Sequence, residues 1–285
     1  MLQMSPGRTA APPSGRAEIA FGRGPEGETF VQRQFAAYPF HVCRPHTFAG
    51  DPPGMVTLYL QSLSGGIYEH ERLSLTITAG AETRAHVTSQ ASTIVQSMQD
   101  GRAELAVSME AGEGALLEYI PDPLILFPRA DLATALTVRR HEAAQVILAD
   151  AFLAHDPEGR GRPFARLDSR LEVEAPDGRL LARDRFVLSG EAYRDGLSHE
   201  RAGGALATLV VLSGSDLIEP LLAALRGALE DLPGTYAGAS ALPNDCGVRA
   251  RLLGSDGVAL RRAMHAAWAA ARETLTGARP PERRK

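Results

Sequence analysis

The chain has 285 residues, of which 44% are hydrophobic and 22% are charged, and its net charge is −4. This composition is ordinary for a folded globular protein and excludes global disorder. The mildly acidic balance argues against a nucleic-acid-binding protein, and the sequence contains no apolar run long enough to span a membrane.

Both ends of the chain lack a periodic pattern. Residues 1–15 are rich in proline and alanine and lack the apolar core of a secretory signal, so we expect a flexible tail there and a second one at residues 277–285. Residues 16–276 are expected to form one domain. Two cysteines, Cys43 and Cys246, make a disulfide framework improbable and favour a reduced, cytoplasmic setting.

The middle of the chain has the alternation expected of β-strands. Apolar residues recur at every second position over residues 56–60, 73–77 and 105–109. Glycine-rich turns separate such runs, and Asp177-Gly178 between two of them predicts a hairpin. Many short strands indicate a mainly β body of stacked sheets, β-helix-like or sandwich-like, although no repeat of fixed length is evident.

About two α-helices are predicted in the C-terminal part. Asp216 and Glu219 have the spacing of a capping box ahead of a leucine-rich run. A second helix is predicted to begin at Ser255 or Asp256 and to end at Gly277. Its apolar stripe includes Trp268, the one tryptophan of the chain, and is expected to pack on a sheet.

One short segment gathers potential metal ligands. His41, Cys43 and His46 offer imidazole and thiolate groups, which suit zinc, nickel and copper. A second Cys/His pair at the spacing of a structural zinc site does not follow. We therefore expect a strand with a small cysteine and two surface histidines, and at most a secondary metal site.

Several carboxylates lie beside apolar runs, where a buried acid needs a partner or a cation. They are Glu118, Asp122, Asp150 and Asp184. Glu118 and Asp122 leave open a β-rich carbohydrate-active hydrolase that uses two carboxylates. A plain β-sandwich binding module is a third interpretation. Ser213 lacks the glycine two positions earlier that a serine-hydrolase elbow needs.

Five segments resemble the signature segments of a known family. They are residues 64–73 (SGGIYEHERL), 79–85 (AGAETRA), 88–93 (TSQAST), 117–123 (LEYIPDP) and 246–270. In this order they are similar to the urease accessory protein family UreD, also called UreH, and the resemblance covers about residues 16–272. At two positions the chain departs from the family pattern: Glu71 stands where the family usually has aspartate, and Ile94 where it often has lysine.

The resemblance implies a scaffold without catalysis of its own. Such a protein binds UreF, and through UreF the GTPase UreG, docks on apo-urease and helps nickel to reach the urease active site. No tightly bound cofactor is implied, only transient Ni²⁺ in a hydrated internal route. Carried over by motif, the candidates that line this route are Glu71, Thr93, Asp150 and Asp184. Sparse oxygen ligands suit a conduit, because a full set of nitrogen and sulfur ligands would trap nickel.

Overall fold

The structure is a computed structural model that describes residues 14–197 and 204–281. The predicted N-terminal tail therefore lies largely outside the described residues, and the predicted C-terminal tail lies outside them from residue 282 on. Inside the described ranges, Gly15 begins the first strand and Gly277 follows directly on the last helix.

Within these ranges the chain forms seventeen β-strands and three α-helices. The strands are β1 (Gly15–Arg23), β2 (Thr29–Ala36), β3 (Phe40–Val42), β4 (Val56–Ser62), β5 (Arg72–Ala79), β6 (Arg84–Ser89), β7 (Thr93–Val95), β8 (Ala103–Ala111), β9 (Leu116–Tyr119), β10 (Leu124–Leu126), β11 (Asp131–Arg140), β12 (Gln145–Ala154), β13 (Arg166–Glu174), β14 (Leu180–Ser189), β15 (Ala205–Leu212), β16 (Thr235–Ala241) and β17 (Gly247–Gly254). The helices are α1 (Gly190–Ala192), α2 (Ile218–Leu229) and α3 (Gly257–Thr276).

Two sheets stack face to face. The first sheet has the strand order β14-β13-β11-β8-β5-β1-β2. The second sheet has the order β16-β17-β15-β12-β9-β6-β4-β3, with β10 and β7 added beside the end of β12. The central strands of both sheets run parallel, whereas β2, β3 and β14 to β17 pair antiparallel with their neighbours.

In its middle part the chain winds as a β-helix-like coil. Strands β5, β8 and β11 enter the first sheet, the strand after each of them enters the second sheet, and β7 and β10 form a short third side. Coils stack in register, so that Leu105 pairs with Leu73 on one side and with Thr134 on the other. The mainly β, stacked-sheet prediction is confirmed. Each coil repeats the path of the backbone but not its sequence. The turns that connect the strands differ in length and composition, so no repeat of fixed length is visible in the sequence.

Alternation along the strands decides what each sheet face buries. Between the two sheets lies a core that includes Ile19, Leu58, Ile77, Val87, Met109, Leu117, Val138 and Leu148. The opposite face of the second sheet packs against α2 and α3 through a second core that includes Ile147, Leu209, Leu225, Leu260 and Trp268. The second sheet is therefore covered on both faces, as parallel strands usually are.

The helix predictions fared differently. For α3, Asp256 is the N-cap, and its Oδ1 accepts hydrogen bonds from the backbone N–H groups of Val258 and Ala259 at 2.9 and 2.8 Å. Gly277 ends α3 in the left-handed region at φ 73°, as predicted. The capping box at Asp216 and Glu219 is wrong: a 3₁₀ turn precedes α2, and among the described residues none caps α2 with its side chain.

The hairpin predicted at Asp177-Gly178 is confirmed, because β13 and β14 pair antiparallel and Gly178 adopts φ 84°. In the described part of the chain, no helix is both long enough and apolar enough to cross a membrane.

Candidate functional site: a polar row between two sheets

Two of the predicted route residues meet between the sheets. Asp150 of β12 and Asp184 of β14 line one internal cavity of about 10 Å³, together with Ser169 and Thr208. Five apolar side chains complete the wall, namely Leu136, Leu148, Leu171, Phe186 and Val210. We call Asp150, Ser169, Asp184 and Thr208 the polar row. The volume is about that of one water-sized probe, so the cavity has room for a single small ligand.

Strand register explains how the row forms. Asp150 lies directly beside Thr208 on the neighbouring strand β15, and both face the first sheet. From the first sheet, Ser169 Oγ donates a hydrogen bond to Asp150 Oδ2 at 3.0 Å. Asp150 Oδ1 is buried and has no hydrogen-bond partner among the described residues. A buried oxygen of this kind is a vacant acceptor, which a water molecule or a cation would satisfy.

The environment of Asp150 disfavours its charge. Burial raises the pKa of Asp150 to about 6, and the neighbouring charge of Asp184 acts in the same direction. Hydrogen bonds from Ser169 and Thr208, and the charge of Arg251, oppose this shift without cancelling it. Carboxyl groups whose pKa is raised toward neutral pH, with no directly paired cation, are often found at functional sites.

Asp184 lies at the outer end of the row, where it is paired with two arginines. Arg249 Nη1 is 3.0 Å from Asp184 Oδ2, and Arg251 Nη2 donates to the same oxygen. The Arg251 guanidinium also lies 5.4 Å from the centre of the Phe186 ring. The row therefore runs from Asp150, whose Oδ1 atom is buried, on the central strand β12 to a charged cluster near the edge of the sheets.

The other two predicted route residues lie elsewhere. Glu71 is in the turn before β5, where its Oε2 accepts a hydrogen bond from the backbone N–H of Tyr68 at 2.9 Å. Thr93 lines a surface groove of about 420 Å³ beside the glycine-rich segment 64–66. Neither residue lines the cavity of the polar row. Their assignment to a route stays a prediction.

A second polar cluster lies under α3. Glu118 is completely buried, and both of its oxygens accept hydrogen bonds from Arg272, with Nε–Oε1 at 2.7 Å. Glu118 Oε2 is also 2.6 Å from His86 Nδ1 and 3.1 Å from Trp268 Nε1, and Arg272 Nη1 reaches Asp51 at 2.6 Å. We call these five residues the buried ion cluster.

The buried ion cluster argues against a hydrolase that uses Glu118 and Asp122 as its two carboxylates. Burial alone would raise the pKa of Glu118, but the hydrogen bonds from Arg272 and His86 lower it to about 2. Such a carboxyl is not protonated at neutral pH and cannot act as a general acid. Asp122, its supposed partner, lines an open groove of about 680 Å³ between the second sheet and α3. Glu118 thus holds the helix to the sheet.

For the segment with His41, Cys43 and His46, the secondary metal site stays a prediction. His41 and His46 are exposed, and Cys43 is half-buried just beyond β3. Across residues 14–197 and 204–281, no group of three or more His, Cys, Asp or Glu side chains is arranged to hold a metal ion. Cys246 is a buried free thiol in the core between the sheets, as the sequence indicated.

Comparison with known proteins gives the family. The family model described as UreD urease accessory protein matches residues 13–285. The chain belongs to the UreD urease accessory protein family. Three UreD relatives show how widely the likeness extends. A urease accessory protein UreD 1 from Pseudomonas syringae pv. syringae is 45% identical over 94% of this chain and 95% of its own. A UreD 1 from Methylorubrum extorquens is 40% identical over 99% and 96%, and a UreD from Natronomonas pharaonis is 34% identical over 94% and 90%.

Membership of the UreD family means a role in urease maturation, and it places the protein among maturation factors rather than enzymes. The resemblance seen in the five sequence segments is therefore confirmed over almost the whole chain.

Sequence analysis missed most of the partners in both polar clusters. Ser169 and Thr208 stand in ordinary strand patterns, and only the three-dimensional register places them against Asp150. Arg272 carried a signal, because it lies four residues after Trp268 on the buried side of α3. A charged residue at that place in an apolar stripe demands a buried counter-charge.

Proposed function

We propose that this protein is a scaffold for urease maturation that binds UreF, through UreF the GTPase UreG, and apo-urease, and that it passes nickel along its interior. It works in the cytoplasm and holds no resident cofactor, and Ni²⁺ is its transient cargo. The observation that carries the proposal is the polar row, in which two family-matched acids meet at one cavity between the sheets.

The chemistry of the row suits a hard to borderline divalent cation in transit. Bare Ni²⁺ cannot enter an apolar core, because burial of an uncompensated charge is prohibitively costly. Carboxylate and hydroxyl oxygens from Asp150, Ser169, Asp184 and Thr208 would replace part of its water shell. These oxygens lack the imidazole and thiolate partners that bind nickel strongly. The ion would therefore be held briefly and then released.

The partner part of the proposal is tested by co-purification. The full chain, expressed with UreF and apo-urease, should elute with both in one complex of stable composition. UreG should join when UreF is present and should be lost when UreF is left out. Elution of the chain apart from UreF would contradict the scaffold role.

The nickel part is tested with route variants. The double variant Glu71→Ala/Asp184→Ala should lower urease activation at limiting nickel and leave UreF binding intact. Because Glu71 lies outside the cavity of the polar row, the single variants separate the two positions. Full activation by the double variant at limiting nickel would remove both residues from the route.

A further inference from the structure

At the outer end of the polar row, two cations share one carboxylate oxygen. Arg249 and Arg251 both contact the Oδ2 atom of Asp184. Like charges repel strongly at short range where water is scarce. A divalent cation that approaches Asp184 therefore meets two guanidinium groups on one of the two carboxylate oxygens.

The inner end of the row continues directly from these arginines. On the second sheet, Asp150 pairs with Thr208, and Thr208 pairs with Arg251, so the three residues stand side by side on β12, β15 and β17. The side chain of Asp184, on the facing sheet, is 21% exposed, and that of Arg251 is 39% exposed. Arg251 is thus a partly exposed residue two strands away from Asp150, whose Oδ1 atom is buried.

We propose that Arg251, assisted by Arg249, is a displaceable counter-ion that closes the polar row against cations at rest. This inference rests on the proposed nickel route and names the residues that regulate entry. With Arg251 on Asp184, the cavity has room for about one water, and the Oδ2 atom of Asp184 is already bound to a guanidinium. When Arg251 leaves, Asp184 becomes an open oxygen ligand next to Asp150.

Three features make Arg251 suited to move. Its side chain is partly in solvent already, so a swing outward exposes a charge to water and does not bury one. Its guanidinium also lies 5.4 Å from the centre of the Phe186 ring, a weak cation–π contact that can hold it in place at rest and release it at small cost. The Nε atom of Arg251 is buried without a hydrogen-bond partner in the described residues, so the resting position is not fully satisfied.

The test measures nickel binding by the untagged full-length chain at pH 7.5, by equilibrium dialysis with Ni²⁺. Arg251→Gln removes the charge and keeps a polar side chain of similar length. It should bind Ni²⁺ about tenfold more tightly than the wild type, because a positive charge next to the ligand oxygens is gone. Arg251→Lys keeps the charge and should stay close to the wild type.

Arg183→Gln is the matched control. Arg183 lies on β14 next to Asp184, but it pairs with Glu172 and does not line the cavity. The gain in Arg251→Gln should vanish when Asp184→Asn is added. The proposal is overturned if Arg251→Gln binds no better than Arg183→Gln, or if the gain survives Asp184→Asn.

Urease activation separates this inference from the proposed function. If Arg251→Gln binds nickel more tightly and activation is insensitive to Asp150 and Asp184, the counter-ion role stands and the route fails. If nickel binding is unchanged and activation depends on Asp150, the route stands and the counter-ion role fails.

Discussion

Replacing Arg272 by methionine removes the only cation that bonds both oxygens of the Glu118 carboxylate in the described structure. Both side chains are fully buried, so the change leaves Glu118 and Asp51 as buried carboxylates without their guanidinium. Methionine fills a similar volume, and the loss is therefore mainly electrostatic. We expect a large drop in the free energy of unfolding and no change of fold.

Two routes give the size of this drop. Removing one partner of a buried ion pair typically costs about 3–5 kcal/mol. The pKa of Glu118 falls from 4.5 to about 2 in the folded protein, and at about 1.4 kcal/mol per unit this corresponds to roughly 3 kcal/mol. Part of this lowering of the Glu118 pKa comes from His86 and not from Arg272. A loss of about 3 kcal/mol lowers the melting temperature by roughly 6–12 °C for a chain of this size.

The assay is urea unfolding at pH 7, with calorimetry as a second measurement. Arg261→Met, an exposed arginine on the same helix, is the control and should change stability by less than about 0.5 kcal/mol. Because the folded pKa of Glu118 is lowered, its contribution is complete above pH 4.5 and is lost as the pH falls toward 2. The difference between wild type and Arg272→Met should therefore shrink over that window.

A double variant decides whether charge is the cause. Glu118→Gln/Arg272→Met removes the Glu118 charge together with the guanidinium and should cost less than Arg272→Met alone, since only Asp51 is then left as a buried carboxylate beside the missing guanidinium. The reasoning is refuted if Arg272→Met is as stable as Arg261→Met, or if the double variant is less stable than the single one.

Two further predictions use the same measurements. Asp150→Asn should be more stable than wild type at pH 7.5 by up to about 3 kcal/mol, because the pKa of Asp150 is raised from 3.8 to about 6 and the folded protein holds its charge at a cost above pH 6. This gain in stability should disappear as the pH falls below 4. A gain that does not depend on pH would contradict the charge of Asp150 as its cause. Gly66→Ala should lose about 2 kcal/mol, because Gly66 has φ 139° and an added Cβ would lie 2.4 Å from the carbonyl oxygen of Ile94. The check for Gly66 is thermal unfolding against Gly227→Ala, where the added methyl meets open space in helix α2.

Periodicity was enough to predict the fold class. The strands around Leu58, Leu75 and Val107 bury one face each, and period-2 alternation reports that directly. Helix α3 combines a cap, an apolar stripe and a terminal glycine, so several local signals agree. The N-terminus of α2 failed because residues 215–217 adopt a tighter 3₁₀ turn, which the Asp216–Glu219 spacing does not exclude.

The sequence identified the two acids of the polar row but not their meeting or their arginine partners. Asp150 stands out as an acid in a run of buried apolar residues, and family likeness added Asp184. Their meeting depends on the stacking of two sheets from distant parts of the chain, which no local pattern encodes. Arg251 looks like an ordinary solvent-facing strand residue until β17 is placed next to β15.

The most direct test of the internal route is Asp150→Asn in a reconstituted complex with UreF, UreG and apo-urease. This variant keeps the size and hydrogen bonds of the side chain and is expected to be more stable, so a loss of function cannot come from misfolding. Asp131→Asn, a partly exposed acid that pairs with Arg102, is the control. At limiting nickel, Asp150→Asn should activate urease roughly tenfold more slowly than the wild type. The control should activate urease at the wild-type rate, and both variants should bind UreF as the wild type does. Activation at the wild-type rate by Asp150→Asn would contradict the passage of nickel through the polar row.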